Sequence, residues 1–153
     1  MYYIREALME DASAIAPHLR DADKNEITAS SGPDHEQAIL YSIMSSDAWT
    51  VCLPDGTPIC IYGVGPDTNK WIGIPWMIGT DEMIKHRKAL IRDARKWIEG
   101  QLQSTYLILY NYVDGRNTSH IKWLHHMGFE VSDVPEYIGH DPEVPFYSFH
   151  RSI

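Results

Sequence analysis

The chain has 153 residues, 44% of them hydrophobic and 22% charged, with a formal net charge of −8. That length supports one ordinary core and not two comfortable ones, and the charge argues against broad nucleic-acid binding, because phosphate affinity comes from Lys and Arg that the surface lacks overall. The longest apolar runs, such as Tyr106 to Tyr110, fall far short of the roughly 20 residues that span a bilayer, and Met1 to Arg5 lacks signal-peptide architecture, so a cytosolic or packaged protein is expected.

Tyr2 to Glu6 alternates as a first strand, and Met9 to Leu19 follows with Ala12, Ile15, Ala16 and Leu19 at the spacing of one helical face, Asp11 lying in its first turn. A second helix covers about Ala22 to Ala29. The breaker Ser30-Ser31-Gly32-Pro33 precedes Asp34, placed to cap a helix through Ala38, Ile39, Ser42 and Ile43.

From Ala48 the period changes. Trp49 to Leu53 and Pro58 to Val64 form a hairpin around Asp55-Gly56, and Lys70 to Gly79 is a third strand after the turn Gly65 to Asn69, giving an antiparallel meander. A two-residue loop at Asp55-Gly56 pairs Cys52 with Ile59 and sends Cys60 to the opposite face, so both thiols read as strand filler and not as a disulfide. Pro75 cannot donate to a ladder, so the third strand is bulged, splayed or edge-exposed there.

Glu82 to Gly100 has the clearest helical pattern, with Met83, Ile84, Leu90, Ile91, Ala94, Trp97 and Ile98 on one stripe and Gly100 as its stop. Thr105 to Val113 is an aromatic strand, Asn117 to Met127 a helix capped by Asn117 or Thr118, Glu130-Val131 a brief strand and Phe146 to His150 the last. Strand, helices, three strands, helix, strand, helix and two strands make an α/β domain: a mixed sheet with helices on both faces.

That order of elements resembles the GNAT (Gcn5-related N-acetyltransferase) fold. Asn117-Thr118-Ser119-His120-Ile121-Lys122-Trp123-Leu124-His125-His126-Met127-Gly128-Phe129 is similar to the family's C-terminal motif, in which an Asn starts a helix and a Gly-Phe pair ends it. Tyr112-Val113 with Gly115, followed by that motif, resembles small GNAT-like proteins of short-tailed bacteriophages, some of them internal virion proteins. The resemblance implies a mostly antiparallel sheet whose fourth and fifth strands, about Trp71 to Gly79 and Thr105 to Val113, splay to admit the pantetheine arm of acetyl-CoA. It further implies that Met77, Ile78 and Gly79 offer backbone to that arm, that Lys85 and Arg87 meet the phosphates, and that Asn117 and His120 border the thioester. Where the family has a glycine-rich phosphate turn, Gly79 to Ile84 offers one glycine, and Leu124 occupies the position of the family's acidic Tyr.

Six cations, Lys85, Arg87, Lys88, Arg92, Arg95 and Lys96, share one helix, either as phosphate ligands or as a solvated face. His120 projects from the first turn after Asn117, as an acid or base near neutral pH or as a capping-region His bonded to backbone. Tyr110 and Tyr112 lie on one side of a strand, so either phenol can protonate a leaving thiolate, or both are core. His120 and His125 stand about 140° apart on their helix, unlike a metal-gripping pair. Two readings stay open: an N-acyltransferase taking acetyl-CoA and an amine of a small molecule or protein, or a scaffold acting through protein contacts in the virion or infected host.

Overall fold

The asparagine, glycine and proline turns set out a meander, and the computed structural model, which describes residues 1–153, has it. β1 (Tyr3–Glu6), β2 (Asp47–Cys52), β3 (Pro58–Pro66) and β4 (Ile72–Gly79) run antiparallel in sequence order. β5 (Ile108–Asp114) then lies parallel to β4, and β7 (Phe146–Ser152) separates it from β6 (Glu130–Val131), giving the order β1-β2-β3-β4-β5-β7-β6. The hairpin register differs from the simple two-residue loop. Cys52 faces Pro58 and Val51 faces Cys60, so Ile59 is the extra residue of a bulge, and the turn is closed by Leu53 N–H donating to Thr57 O at 2.9 Å. Gly56 takes φ 92°, which favours glycine.

Helices cover both faces. On one lie α1 (Asp11–Ile15), a 3₁₀ turn at Ala16–His18 where Pro17 ends the α-helical pattern, α2 (Asp21–Ser31) and α3 (His35–Met44). Their Ile15, Leu19, Ile27, Ile39 and Ile43 pack on Ile61, Trp76 and Ile78. Asp34 caps α3 through Gln37 N–H at 3.1 Å. On the other face, α5 (Arg87–Ser104) and α6 (Thr118–His126), with Met127 at the end of α6, bury Ile98, Leu102, Leu124 and Met127 against Val64, Leu109, Val113 and Phe149. The expected single helix from Glu82 is broken: α4 (Glu82–Lys85) ends at His86, and α5 runs through Gly100 to Ser104. Gly100 fails as a stop because the buried stripe continues to Leu102 one turn on. No helix is long and apolar enough to cross a membrane.

β4 and β5 pair only at Ile72 with Ile108 and Gly73 with Leu109, then separate. The separation begins at Pro75. Thr80 N–H donates to Ile59 O on β3, so by alternation the backbone groups of Gly73, Pro75, Met77 and Gly79 turn toward β5. Pro75 has no N–H to give there, and its carbonyl accepts from Asn111 Nδ2 at 2.8 Å, a side chain standing in for a ladder bond.

Candidate functional site

Two parallel strands that part leave unpaired backbone at their C-terminal ends, and α2 is laid across the opening. Asp23 Oδ2 accepts from Gly79 N–H at 3.0 Å on the β4 side, and Asp23 Oδ1 accepts from Asn117 Nδ2 at 3.2 Å beyond β5. Glu26 Oε1 accepts from the same Asn117 Nδ2 at 3.1 Å and from Asp114 N–H at 3.3 Å. The approach to α2 adds to the crosspiece. Leu19 bridges Thr80, Arg20 N–H donates to Gly79 O at 3.0 Å, and the Arg20 guanidinium bonds Ser119 Oγ and stands 3.7 Å from Asp23.

Asn117 is the joint of this arrangement. It is 2% exposed, and its Oδ1 accepts from His120 N–H and Ser119 Oγ, both at 3.3 Å, so it caps α6 while its amide holds two carboxylates. Buried Asp114, at the end of β5, is held by Arg116, whose Nη2 lies 2.7 Å away.

A cleft of about 730 Å³ passes through the sheet between β4 and β5. Glu26, Ile27, Tyr41, Trp76, Tyr112 and Phe146 line it on the α2/α3 side, Met77, Ala94, Trp97, Leu124, Met127 and Phe149 on the α5/α6 side, and Pro75, Asn111 and His120 between. No Lys or Arg lines it. Burial pushes the Glu26 carboxyl up to about 8, the neighbouring Asp23 and Asp114 carboxylates adding to the rise and the Asn117 and Asp114 N–H bonds opposing it. Burial likewise lowers His120 below the usual imidazole range, against the pull of Asp23, so the ring is neutral at pH 7. Tyr110 and Tyr112 hydroxyls are hydrogen-bonded at 2.9 Å, and that bond, with burial, pushes Tyr112 up to about 12.

The sequence-derived candidates separate into two groups. Met77, Ile78, Tyr112 and His120 line the cleft, Tyr110 reaches it through Tyr112, and Asn117 anchors its polar end. Of the three β4 residues expected to offer backbone, Met77 faces the opening, Ile78 turns its groups to Ile61 on β3, and Gly79 has both N–H and C=O bonded by the α2 segment. Lys85 and Arg87 are exposed around the α4–α5 break and do not line the cleft, and Lys85 Nζ is 2.6 Å from Glu82 Oε1. No group of three or more His, Cys, Asp or Glu is placed to hold a metal ion.

Sequence reasoning missed Asp23 and Glu26. A helix carrying Asp21, Asp23 and Glu26 reads as solvated, and nothing local separates the two that turn inward. The only available hint is the offset of three, which puts Asp23 and Glu26 on one side of the helix next to Ile27.

The fold as a whole also occurs in solved structures. An acetyltransferase of the GNAT family from Streptococcus pneumoniae superposes with TM-score 0.68 at 18% identity, over 100% of this chain and 99% of its own. This chain has the GNAT fold. A GCN5-related N-acetyltransferase from Kribbella flavida superposes with TM-score 0.73 at 20% identity, over 99% and 98%. A GNAT-superfamily phosphinothricin acetyltransferase from Sinorhizobium meliloti, solved in complex with AcCoA, gives TM-score 0.72 at 14% identity, over 99% and 88%. No family model and no curated protein matches the chain.

Proposed function

We propose that the protein is an N-acyltransferase, moving an acyl group from an acyl-CoA thioester to an amine. The observation that carries the reading is the opening of β4 from β5 into a cleft that crosses the sheet, with Glu26 and Tyr112 on its α2/α3 side. The acyl end of the donor fits this site: by alternation along β4 the Met77 N–H and C=O point away from β3 and into the opening, past the last pair with β5, ready for an amide-bearing arm. The phosphate end has less. Its cations are Lys85, already paired with Glu82, and exposed Arg87, while Asp81 and Glu82 start the following helix.

The thioester supplies the acyl group, and the side chains supply the proton transfers. The ionised Glu26 carboxylate takes a proton from the incoming ammonium, its elevated pKa bringing it close to that task at pH 7 to 8. The freed amine nitrogen forms the C–N bond as the C–S bond breaks, the Tyr112 phenol, protonated throughout this range, gives its proton to the leaving thiolate, and the second proton that the nitrogen loses in becoming an amide restores the phenol, while Glu26 returns its own to solvent. Tyr110 orients that phenol. Neutral His120, backed by the Asn117 cap, borders the transfer without adding charge.

Thiol release from acetyl-CoA over a panel of amines tests this. Glu26→Gln lowers kcat by about a hundredfold. Absence of thiol release across the panel, or full rate in Glu26→Gln, overturns the proposal.

A second reading has its own observation. Asp23 occupies the Gly79 N–H, on the route from the opening to the helix start, so a carboxylate stands at the mouth. That favours a scaffold without coenzyme, acting through protein contacts in a phage virion or infected host. Acetyl-CoA raises the Tm of the enzyme by mass action, whereas the scaffold shows no shift.

A further inference from the structure

The cleft has two unlike halves, and the α2/α3 half says what enters it. Its floor and walls are flat or branched apolar groups: Trp76 from β4, Tyr112 from β5, Phe146 from β7 and Ile27 from α2. Trp76 is fixed in place, because its Nε1–H donates to Ser46 Oγ at 2.9 Å and leaves the ring faces without a polar role. At the inner end stands the Glu26 carboxyl, with Asn117 Nδ2 and Asp114 N–H both on Oε1 and no hydrogen bond to Oε2.

Charge narrows the choice further. The cleft is lined by the carboxyls of Glu26 and Asp34 and by no Lys or Arg, so anionic molecules find like charge and no cationic side chain in it. Asp34 is exposed at the rim and caps α3 at Gln37 N–H through Oδ1, so Glu26 is the carboxyl at the inner end, beside the apolar groups. A ligand that satisfies this set has one cationic donor at one end and a flat apolar body behind it. A polyamine has repeated charges and needs repeated carboxyls, and beyond Glu26 the cleft offers only Asp34, at its exposed rim. A cation carried on an aromatic body also gains from the ring faces along its path.

We infer that the α2/α3 half of the cleft binds a primary ammonium carried on a flat, aromatic body, the ammonium on Glu26 and the body against Trp76 and Tyr112. The inference deepens the acyltransfer reading by naming its acceptor class, and the binding it describes takes place without coenzyme. That separation allows the two to be tested apart.

Isothermal calorimetry at pH 8.5, where the Glu26 carboxyl is ionised and the amines still carry their proton, on the intact protein without coenzyme uses 2-phenylethylamine and tryptamine as probes, with 2-phenylethanol and spermidine as comparisons. Both arylalkylamines bind about tenfold or more tightly than the alcohol and the polyamine, the size expected from one hydrogen-bonded charge contact. Glu26→Gln, checked for folding by near-ultraviolet circular dichroism, removes that preference for amine over alcohol. Trp76→Leu keeps the carboxyl and weakens tryptamine about tenfold while leaving n-butylamine unchanged. The inference is overturned by alcohol binding as tight as amine, by spermidine outcompeting the arylalkylamines, or by full arylalkylamine affinity in folded Glu26→Gln. Should Glu26→Gln fail to fold, equal weakening of tryptamine and n-butylamine by Trp76→Leu overturns it instead. Arylalkylamine binding with no acetyl transfer refutes the enzyme and leaves the inference, whereas acetyl transfer confined to spermidine refutes the inference and leaves the enzyme.

Discussion

Glu26→Gln is the substitution on which the site makes its sharpest demand. The carboxyl rises from an ordinary 4.5 to about 8 in the fold, chiefly through burial, so folding favours its protonated form. At about 1.4 kcal/mol per tenfold change in proton affinity the rise corresponds to at most about 5 kcal/mol, and partial solvent access at the cleft reduces this to about 3 kcal/mol. Below about pH 4.5 both folded and unfolded chains hold the proton and the group contributes no penalty. Between 4.5 and 8 the unfolded chain releases it while the folded chain keeps it, so the free energy of unfolding falls as pH rises, and above 8 the full penalty stands. Gln cannot titrate and its Oε1 still accepts from Asn117 and Asp114. Thermal unfolding followed by far-ultraviolet circular dichroism from pH 4.5 to 8.5 is therefore expected to give equal Tm values at the acid end. At pH 8.5 the variant melts about 6 to 12 °C higher, taking about 2 to 4 °C per kcal/mol for a chain of this length. A Tm difference that does not change with pH, or a wild type more stable at pH 8.5, refutes the reasoning. The same change that stabilises the fold abolishes the proposed proton acceptor, as expected where a site holds a group in an unfavourable state.

Asn117→Ala strips α6 of its cap and leaves two carboxylates without their shared donor, so urea denaturation should show a loss of about 3 kcal/mol; a loss below about 1 kcal/mol contradicts its role as the joint. Gly73→Ala places a methyl 2.7 Å from Val64 Cγ2 and 2.9 Å from Leu109 Cδ2, just where β4 and β5 last pair, and should cost about 1 to 3 kcal/mol. Gly100→Ala meets nothing within 4 Å in the middle of α5 and should gain up to about 1 kcal/mol, so equal effects from the two glycines argue against this packing. Tyr112→Phe removes the phenol that lines the cleft and should slow acyl transfer more than Tyr110→Phe, which removes only its partner; the reverse order in kcat reassigns the acid.

What was legible in the sequence is what local chemistry decides. Asp55-Gly56 marks the hairpin, Asp34 and Asn117 cap the helices they precede, and Pro75 marks the strand that parts from its neighbour, because each effect acts within a few residues. The failures share the opposite cause. Gly100 reads as a stop until Leu102 finds a buried place beyond it, and Cys52 faces Pro58 because β3 bulges at Ile59. Asp23 and Glu26 look like surface acids because their partners, Gly79 and Asn117, lie 56 and 94 positions away from Asp23, and Asn117 lies 91 from Glu26. Long-range hydrogen bonds leave no periodic trace in the chain that makes them.

Asp23 poses the remaining question of how a thioester arm and α2 share one opening. Both need the backbone of β4, but not the same residue of it. Met77 lies two residues before Gly79, about 7 Å nearer the point where the strands pair, so an arm bonded at Met77 leaves Asp23 on Gly79 and leaves the Asn117 amide on Glu26. The conflict is then electrostatic rather than steric: a carboxylate at the mouth facing the diphosphate that lies beyond it. Asp23→Asn keeps an oxygen for the Gly79 N–H and removes the charge. A unit charge about 8 Å from a phosphate, at the effective dielectric of a wet surface, is worth about 1 kcal/mol, so acetyl-CoA should bind about three- to tenfold more tightly to the variant. Salt screens such a term, so the gain should shrink when affinity is measured again at high ionic strength. An unchanged affinity at low salt places the diphosphate away from α2, and a weaker one means that Asp23 holds the opening in shape and that its charge does not repel.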